Sequence, residues 1–413
     1  MTPTDAPPLV VVCEVYPMMY GAQRSMLQMY ERWHQERAFR AHFLYFVEGD
    51  LSEAVARLGI PCTRLPVGPL LGSFNKKLLR LRWWEYPALA FELIGLNRRV
   101  YRFLREVGAA MIHFNNDRVG LMCFLGARWA KCPTVTHLRR DTSFGWRDRL
   151  IYRKTDEIIW VSRRICDDFA RNHRISRPKG RVIFDGRELS DRDAGSTALE
   201  IRKEFGWPVE TRIVLYVASF DERKDHETLV AAAAAACAKE PTLRFLLAGG
   251  DFTANQERTR KIKDLVAAAR LTDRVRFLGH RTDIGRLMRG SDVLVNAARE
   301  EALGGSLIEA LAYGLPSVAT DVGGTAEIVP DGQCGFLVPP GQPEPMARRI
   351  LDLIGDEPLR RRLAANARRR FEEHFTMTKC VEQTAEFFRE VIEGSAQGTL
   401  MTHEPKPLGH EAS

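Results

Sequence analysis

The chain has no run of the roughly 20 apolar residues that a bilayer-spanning helix requires. Its N-terminus, MTPTDAPP, has no basic segment, and the LVVVC that follows is too short for the apolar core of a secretory leader. The eight cysteines (Cys13, Cys62, Cys123, Cys132, Cys166, Cys237, Cys334 and Cys380) stand singly, without a CxxC pair or metal-ligand spacing. That pattern argues against a zinc module or a disulfide scaffold and for buried free thiols in a reducing compartment. No GxGxxG follows the first apolar run, where CEVYPMMYGAQR stands instead, so a nicotinamide dehydrogenase is excluded. No RNP, helix-turn-helix or zinc module accompanies the basic residues, and nucleic acid is not an expected partner. The expected location is cytoplasmic.

What is present is a soluble globular composition, 45% hydrophobic and 28% charged. At 413 residues the chain exceeds what one core ordinarily supports, so two domains are expected. The formal net charge of +8 admits a phosphate-bearing ligand or an anionic membrane without choosing between them.

Short apolar runs alternate with segments of helical period, which predicts βα units and mainly parallel sheets. LVVVCE (9–14) reads as the first strand and 21–34 as the helix after it. FLYF (43–46), AMIHF (110–114), PTVTH (133–137), EIIWVS (157–162) and RVIF (181–184) read as further strands. After the charged, small-residue stretch 185–200 the pattern restarts with RIVLYVASF (212–220), then LRFLLAG (243–249), VRFLG (275–279), DVLVN (292–296) and PSVAT (316–320). The expected architecture is α/β, two Rossmann-like doubly wound domains facing each other across a cleft, with a linker near 186–205. The expected boundaries are 1–190, 200–375, a C-terminal helix 376–394 crossing back to the first domain, and a disordered tail 395–413. The alanine run 230–239 is read as a helix lying close against a sheet, and 356–374 as a helix with a solvated charged face.

The segment REEALGGSLIEALAYGLP (299–316) carries the chemistry. A strand ends before it, a loop runs through Glu301 and Gly304-Gly305, and a helix begins near Ser306 and stops at Gly314. Bare backbone N–H groups at that helix start form an anion site with the positive dipole end behind it. On the residues alone, Glu309 divides evenly between a ligand role and a capping box with Ser306, and Glu301 alone would be an exposed loop acid.

Glu301 and Glu309, with seven residues between them and a glycine pair inside, resemble the E-x7-E signature of the retaining glycosyltransferases of family 4, which have the GT-B fold. The likeness runs through the block 291–340 almost position by position and is weaker elsewhere. It implies that Glu309 accepts hydrogen bonds from the ribose of a donor and Glu301 from the transferred sugar. Amides of Gly304, Gly305 and Ser306 would meet the sugar and diphosphate. Segment 317–329 would complete the wall as a strand, with Gly323-Gly324 a chain reversal.

VASFDERKDHETL (217–229) resembles the family segment whose lysine neutralises the leaving diphosphate, and Lys224 falls on that position. The arginine usual five residues earlier is Ser219 here, with Arg223 as the candidate to compensate. YPMMYGAQRSML (16–27) resembles the N-terminal glycine loop, giving Gly21 a donor-side role, although Ala22 replaces the second glycine. PTVTHLRRD matches the strand whose terminal histidine lines the reaction centre, which singles out His137, while His113 is read as structural. Arg139 and Arg140 are candidates for an anionic acceptor, with an ordinary charged loop the equal alternative. His280 and Arg281 are candidates to flank the nucleotide base, although polar residues there need no ligand. Asp185 stands where the family has asparagine, and no catalytic role is drawn from it.

The implied catalytic set is His137, Lys224 and Glu301, and the implied reaction is retaining transfer of a hexose from a UDP- or GDP-sugar to a hydroxyl of a saccharide or lipid-linked acceptor. Polysaccharide or glycolipid assembly is the expected setting. No cofactor or metal is expected, because Lys224 and the helix amides take the place of a cation. The different-class alternative is a nucleotide-sugar-binding protein with impaired turnover, motivated by Ser219 and Ala22. Residues 74–105 interleave eight basic residues with aromatics against two acids, a pattern that suits an anionic membrane surface on the inner face or, equally plainly, an amphipathic helix with a basic outer side.

Overall fold

The computed structural model describes residues 6–19, 21–72, 83–139, 145–189, 198–251 and 256–397. The chain divides into two compact units. The first comprises Met1–Phe184 with Met377–Ser413, and the second Asp185–Thr376. Of the disordered tail expected at 395–413, Ser395 and Ala396 instead close the C-terminal helix, and 398–413 lie outside the described residues, as does Arg140.

Unit 1 is built on a seven-stranded parallel sheet. Its strands are β1 (Leu9–Glu14), β2 (Arg40–Tyr45), β3 (Cys62–Arg64), β4 (Met111–Phe114), β5 (Thr134–Leu138), β6 (Glu157–Trp160) and β7 (Arg181–Val182). They lie in the order β3-β2-β1-β4-β5-β6-β7. The central strand β1 pairs Leu9 with Arg40 on one side and Val10 with Met111 on the other. It is buried along its whole length, which explains a continuous apolar run where a half-exposed strand would alternate. One face is covered by Gly21–Glu36 and by the C-terminal helix Met377–Ala396. Trp33 stands at their meeting point, edge-on to Tyr30 at 5.0 Å and 5.4 Å from Phe388 between ring centroids. The opposite face packs against Tyr86–Val107 and Asp117–Trp129. There the buried Asn97 bonds the Met122 carbonyl and the Gly126 amide, and a β-carbon on Gly126 would meet the Asn97 carbonyl at 2.6 Å.

Unit 2 has six parallel strands, β8 (Arg212–Val217), β9 (Leu243–Ala248), β10 (Val275–Gly279), β11 (Val293–Asn296), β12 (Ser317–Thr320) and β13 (Gly335–Val338). Their order is β10-β9-β8-β11-β12-β13. Ala232, Ala233 and Ala236 of the helix His226–Cys237 are buried in its core, so the alanine run serves close packing.

Three expectations are corrected. The stretch 186–205 is not linker throughout, because Ala198–Glu204 is helical and bound into unit 2. Its buried Arg202 donates to Asp292 at 3.0 Å and to the Thr211 carbonyl at 2.8 Å. Segment 317–329 is not one strand; β12 ends at Thr320 and a short helix, Thr325–Ile328, follows. Two of the eight cysteines, Cys62 and Cys237, are only part-buried, and all eight are free thiols. Among the described residues no helix is long and apolar enough to cross a membrane.

Candidate functional site

In a doubly wound sheet, ligands bind outside the carboxyl ends of the strands where the winding reverses. In unit 2 that point lies between β8 and β11, and the two loops leaving those strands carry Lys224 and Glu301.

The loop after β8 enters a single tight turn, Glu222–Lys224, capped by Asp221, whose side chain accepts from the Arg223 amide at 3.0 Å. Burial favours the neutral acid at Asp221, but bonds from Ser219 and Arg223 outweigh it and hold the carboxyl below its ordinary range. Asp225 follows with φ 47° and caps the next helix, accepting from the Thr228 amide and hydroxyl. The Lys224 carbonyl receives the Tyr216 hydroxyl. Burial raises the Tyr216 pKa and the carboxylates of Glu301 and Asp225 add to it, so the phenol stays protonated and able to donate.

The loop after β11 is tied to this one twice, by the Arg299 amide on the Arg223 carbonyl at 2.7 Å and by Arg299 Nε on Asp225 at 2.8 Å. Lys224 Nζ donates to Glu301 Oε2, with the side chains 20% and 15% exposed. The backbone of Glu301 is held by a glycine: a β-carbon on Gly323 would lie 1.6 Å from the Glu301 carbonyl oxygen, and the φ of +48° favours glycine there. Gly323-Gly324 is thus more than a chain reversal. It is the close approach that seats the acid-bearing loop.

The helix Gly305–Ala312 begins after Gly304, whose φ is +106°. No side chain caps it, so the capping-box option for Glu309 is not realised. The N-cap is Gly304, two residues before Ser306, which puts Leu307 rather than Glu309 at the box position. Glu309 Oε1 instead accepts from Arg187 Nε at 3.3 Å. The Leu307 amide already donates to the Gly304 carbonyl at 3.0 Å, so it is the amides of Gly305 and Ser306, with the dipole behind them, that suit an anion. Glu301, Gly304, Gly305, Ser306, Glu309 and Lys224 are therefore neighbours in one unit. The Arg223 side chain is exposed and bonded to Asp221. His280 is exposed at the end of β10, while Arg281 is engaged by Asp283 at 2.7 Å and Glu204 at 3.3 Å, so its guanidinium is already committed to carboxylates.

Unit 1 has its own reversal point, between β1 and β4. Glu14, 1% exposed, ends β1 there and accepts five bonds. The donors are the amides of Val15 (2.6 Å) and Tyr16 (3.0 Å) and the side chains of Gln23 (3.1 Å), Asn115 (2.5 Å) and Asn116 (2.6 Å). Asn115 in turn accepts from Arg139. Sequence reasoning missed this cluster, although an acid closing the run VVVC was a signal. Gly21 opens the helix beside it.

His137 does not stand at a solvent-facing strand end. It is 2% exposed in β5, its two ring nitrogens have no hydrogen-bond partner among the described residues, and its ring centroid is 5.7 Å from that of His113. Burial, then Arg139 and His113, push its pKa well below the ordinary histidine value, so the ring is neutral. His113 is buried with it and meets the Tyr30 hydroxyl at 2.9 Å.

Residues 198–370 match the model of the family described as glycosyl transferases group 1. The chain is 30% identical over 365 residues to the protein named "Putative glycosyltransferase EpsD" of Bacillus subtilis, covering 87% of this chain and 91% of that one. It is 26% identical over 360 residues to alpha-D-kanosaminyltransferase of Streptomyces kanamyceticus, covering 81% and 90%. Among solved structures it resembles Anabaena HepE in complex with UDP, with TM-score 0.77, 21% identity and 93% and 100% coverage. The paired loops at the reversal point of unit 2, the two doubly wound sheets of the GT-B fold and these likenesses agree: the chain belongs to the group 1 glycosyltransferases and is a glycosyltransferase.

Proposed function

We propose that the chain is a retaining, family 4 enzyme that moves a hexose from a nucleoside diphosphate sugar to a hydroxyl acceptor in polysaccharide or glycolipid assembly. The observation that carries this reading is the placement of Glu301, Lys224 and the Gly304–Glu309 helix start side by side at one reversal point. Carboxylates are pure acceptors that can hold adjacent hydroxyls, and Glu309 and Glu301 would take those of the ribose and the hexose. HepE is described with UDP and with UDP-glucose, which favours UDP over GDP as the first donor to try.

No carboxylate is set to attack the anomeric carbon in this reading. The acceptor would enter on the face the diphosphate leaves, through a short-lived oxocarbenium ion, with the leaving phosphate taking the acceptor's proton. Lys224 and the first-turn amides would stabilise the departing charge, so a divalent cation is not required. His137, neutral and buried in unit 1, would exchange no proton, and Arg139 would meet the acceptor.

The test is transfer from UDP- and GDP-hexoses to sugar and lipid-linked acceptors in the presence of a chelator, with the anomeric configuration of the product read by NMR. Product with retained configuration supports the reading. An inverted product or an absolute metal requirement contradicts it, and saturable donor binding without turnover favours the impaired binding protein.

A membrane-docking role is supported by the helix Tyr86–Val107. Leu96, Val100, Phe103 and Leu104 are buried on one side, while Phe91 (77% exposed), Ile94 and Tyr101 share the outer side with Arg98, Arg102 and Arg105. Exposed aromatics beside basic groups suit the headgroup region of an anionic bilayer, and would hold the protein on the inner face of a membrane. The basic residues at 76–82 lie outside the described residues. Sedimentation with liposomes that does not depend on anionic lipid content would remove this role.

A further inference from the structure

Ser219 stands where the resembled family carries a second cation, and its hydroxyl is spent on Asp221 at 2.7 Å. Arg223 is exposed and bonded to the same carboxylate, and Arg299 is held by Asp225. The cation that does lie on the start of the Gly305–Ala312 helix is Arg187. Its side chain is 11% exposed, and a β-carbon on Gly305 would come within 2.5 Å of its Nη2, so the guanidinium rests directly on the first helical residue. Its backbone is fixed from the far side by its amide on the Phe375 carbonyl at 2.9 Å.

We propose that Arg187 is the second diphosphate-binding cation of this enzyme, trading Glu309 for phosphate oxygens as the ribose hydroxyls occupy that carboxylate. The inference rests on the donor reading given above and adds to it a residue that the resemblance does not supply. Each of the two carboxylates assigned to hydroxyls is matched with a cation, Glu301 with Lys224 and Glu309 with Arg187. A nucleoside diphosphate sugar brings hydroxyl donors for both acids and a dianion for both bases, so the exchange leaves no buried charge unpaired, which would be costly. A guanidinium is suited to the second half of that exchange, because its planar fork can bond two phosphate oxygens at once. Gly305 also acquires a reason: any side chain there would displace the guanidinium from the helix start.

The test compares binding of UDP, GDP, uridine and guanosine to the wild-type protein, Arg187→Gln and Arg187→Lys by calorimetry, with melting temperatures as the check on folding. Expected is a nucleoside diphosphate that binds Arg187→Gln about tenfold or more weakly and Arg187→Lys with a smaller loss, while the parent nucleoside binds all three alike. If Arg187→Gln binds the diphosphate as well as wild type does, or more tightly, Arg187 is a competitor for Glu309 or a bystander, and the proposal fails while the donor reading stands. Should Arg187→Gln not fold, Arg187→Lys decides: unchanged diphosphate affinity overturns the proposal and a selective loss supports it. A wild-type protein that binds neither diphosphate ends the donor reading and this inference together.

Discussion

Lys224 and Glu301, 77 residues apart in the sequence, form an ion pair at the reversal point of the second sheet. The lysine is carried by the loop after β8 and the acid by the loop after β11, and Arg299 pins those loops together from behind. On the proposed reading, removing the ammonium group takes away a preorganised charge that stabilises the leaving diphosphate, an effect of ~3 kcal/mol, or roughly a hundredfold in rate. Lys224→Ala should therefore lower turnover by about that factor while the protein stays folded in thermal melts. Near-normal turnover would show the lysine idle.

Gly323 should tolerate no side chain. The left-handed backbone alone costs ~1–2 kcal/mol for alanine, and the β-carbon would fall 1.6 Å from the Glu301 carbonyl oxygen, so the loop must move. Gly323→Ala is expected to lose both stability and most activity. Gly332→Ala is the control, with φ +71° but open space around it. It should show only the backbone cost in thermal melts and keep its turnover.

His226 is buried between Tyr216 and Phe220, with ring centroids 5.0 and 4.6 Å away. Burial, helped by Arg258 and opposed by Glu227, Asp221 and Asp225, depresses its pKa from 6.5 to about 4. Between those values the unfolded chain binds a proton that the folded protein refuses, so stability is lost as pH falls from about 6.5 towards 4, by at most roughly 3 kcal/mol. Denaturant titrations across that range should show a shallower loss in His226→Phe than in wild type. Parallel curves would mean that the ring is already accommodated as a cation.

Glu14 anchors unit 1 by accepting five bonds while buried. Glutamine in its place turns one acceptor into a donor facing donors, so Glu14→Gln should cost ~2 kcal/mol or more in chemical denaturation. Because Asn115 links Glu14 to Arg139, the acceptor KM should rise several-fold while the donor KM stays put. Equal rises in both would point to a general loosening instead.

Strands buried on both faces announced themselves. LVVVCE coincides with β1 and DVLVN matches β11 to within one residue, because two covered faces leave no polar alternation to blur the run. The edge strands Cys62–Arg64 and Gly335–Val338 went unread. At three and four residues, and paired on one side only, they carry too little pattern to stand out from a loop. In the site, Glu301, Glu309 and Lys224 were legible through a local motif. Arg187 and the Glu14 cluster were not, since their partners lie 122 and about 101 residues away, and no spacing rule reaches that far. The capping box failed for a local reason: Gly304 takes the N-cap two residues before Ser306, which moves Glu309 two positions past the residue that a capping box would use.

The most direct test of the account is calorimetric titration of UDP-hexoses and GDP-hexoses into the wild-type protein, Glu301→Ala and Glu309→Ala. The account predicts saturable binding of at least one donor to wild type and an affinity lower by about tenfold or more in each variant, with the fold intact by melting. Binding equally tight in both variants, or no donor bound by the wild-type protein, would contradict it.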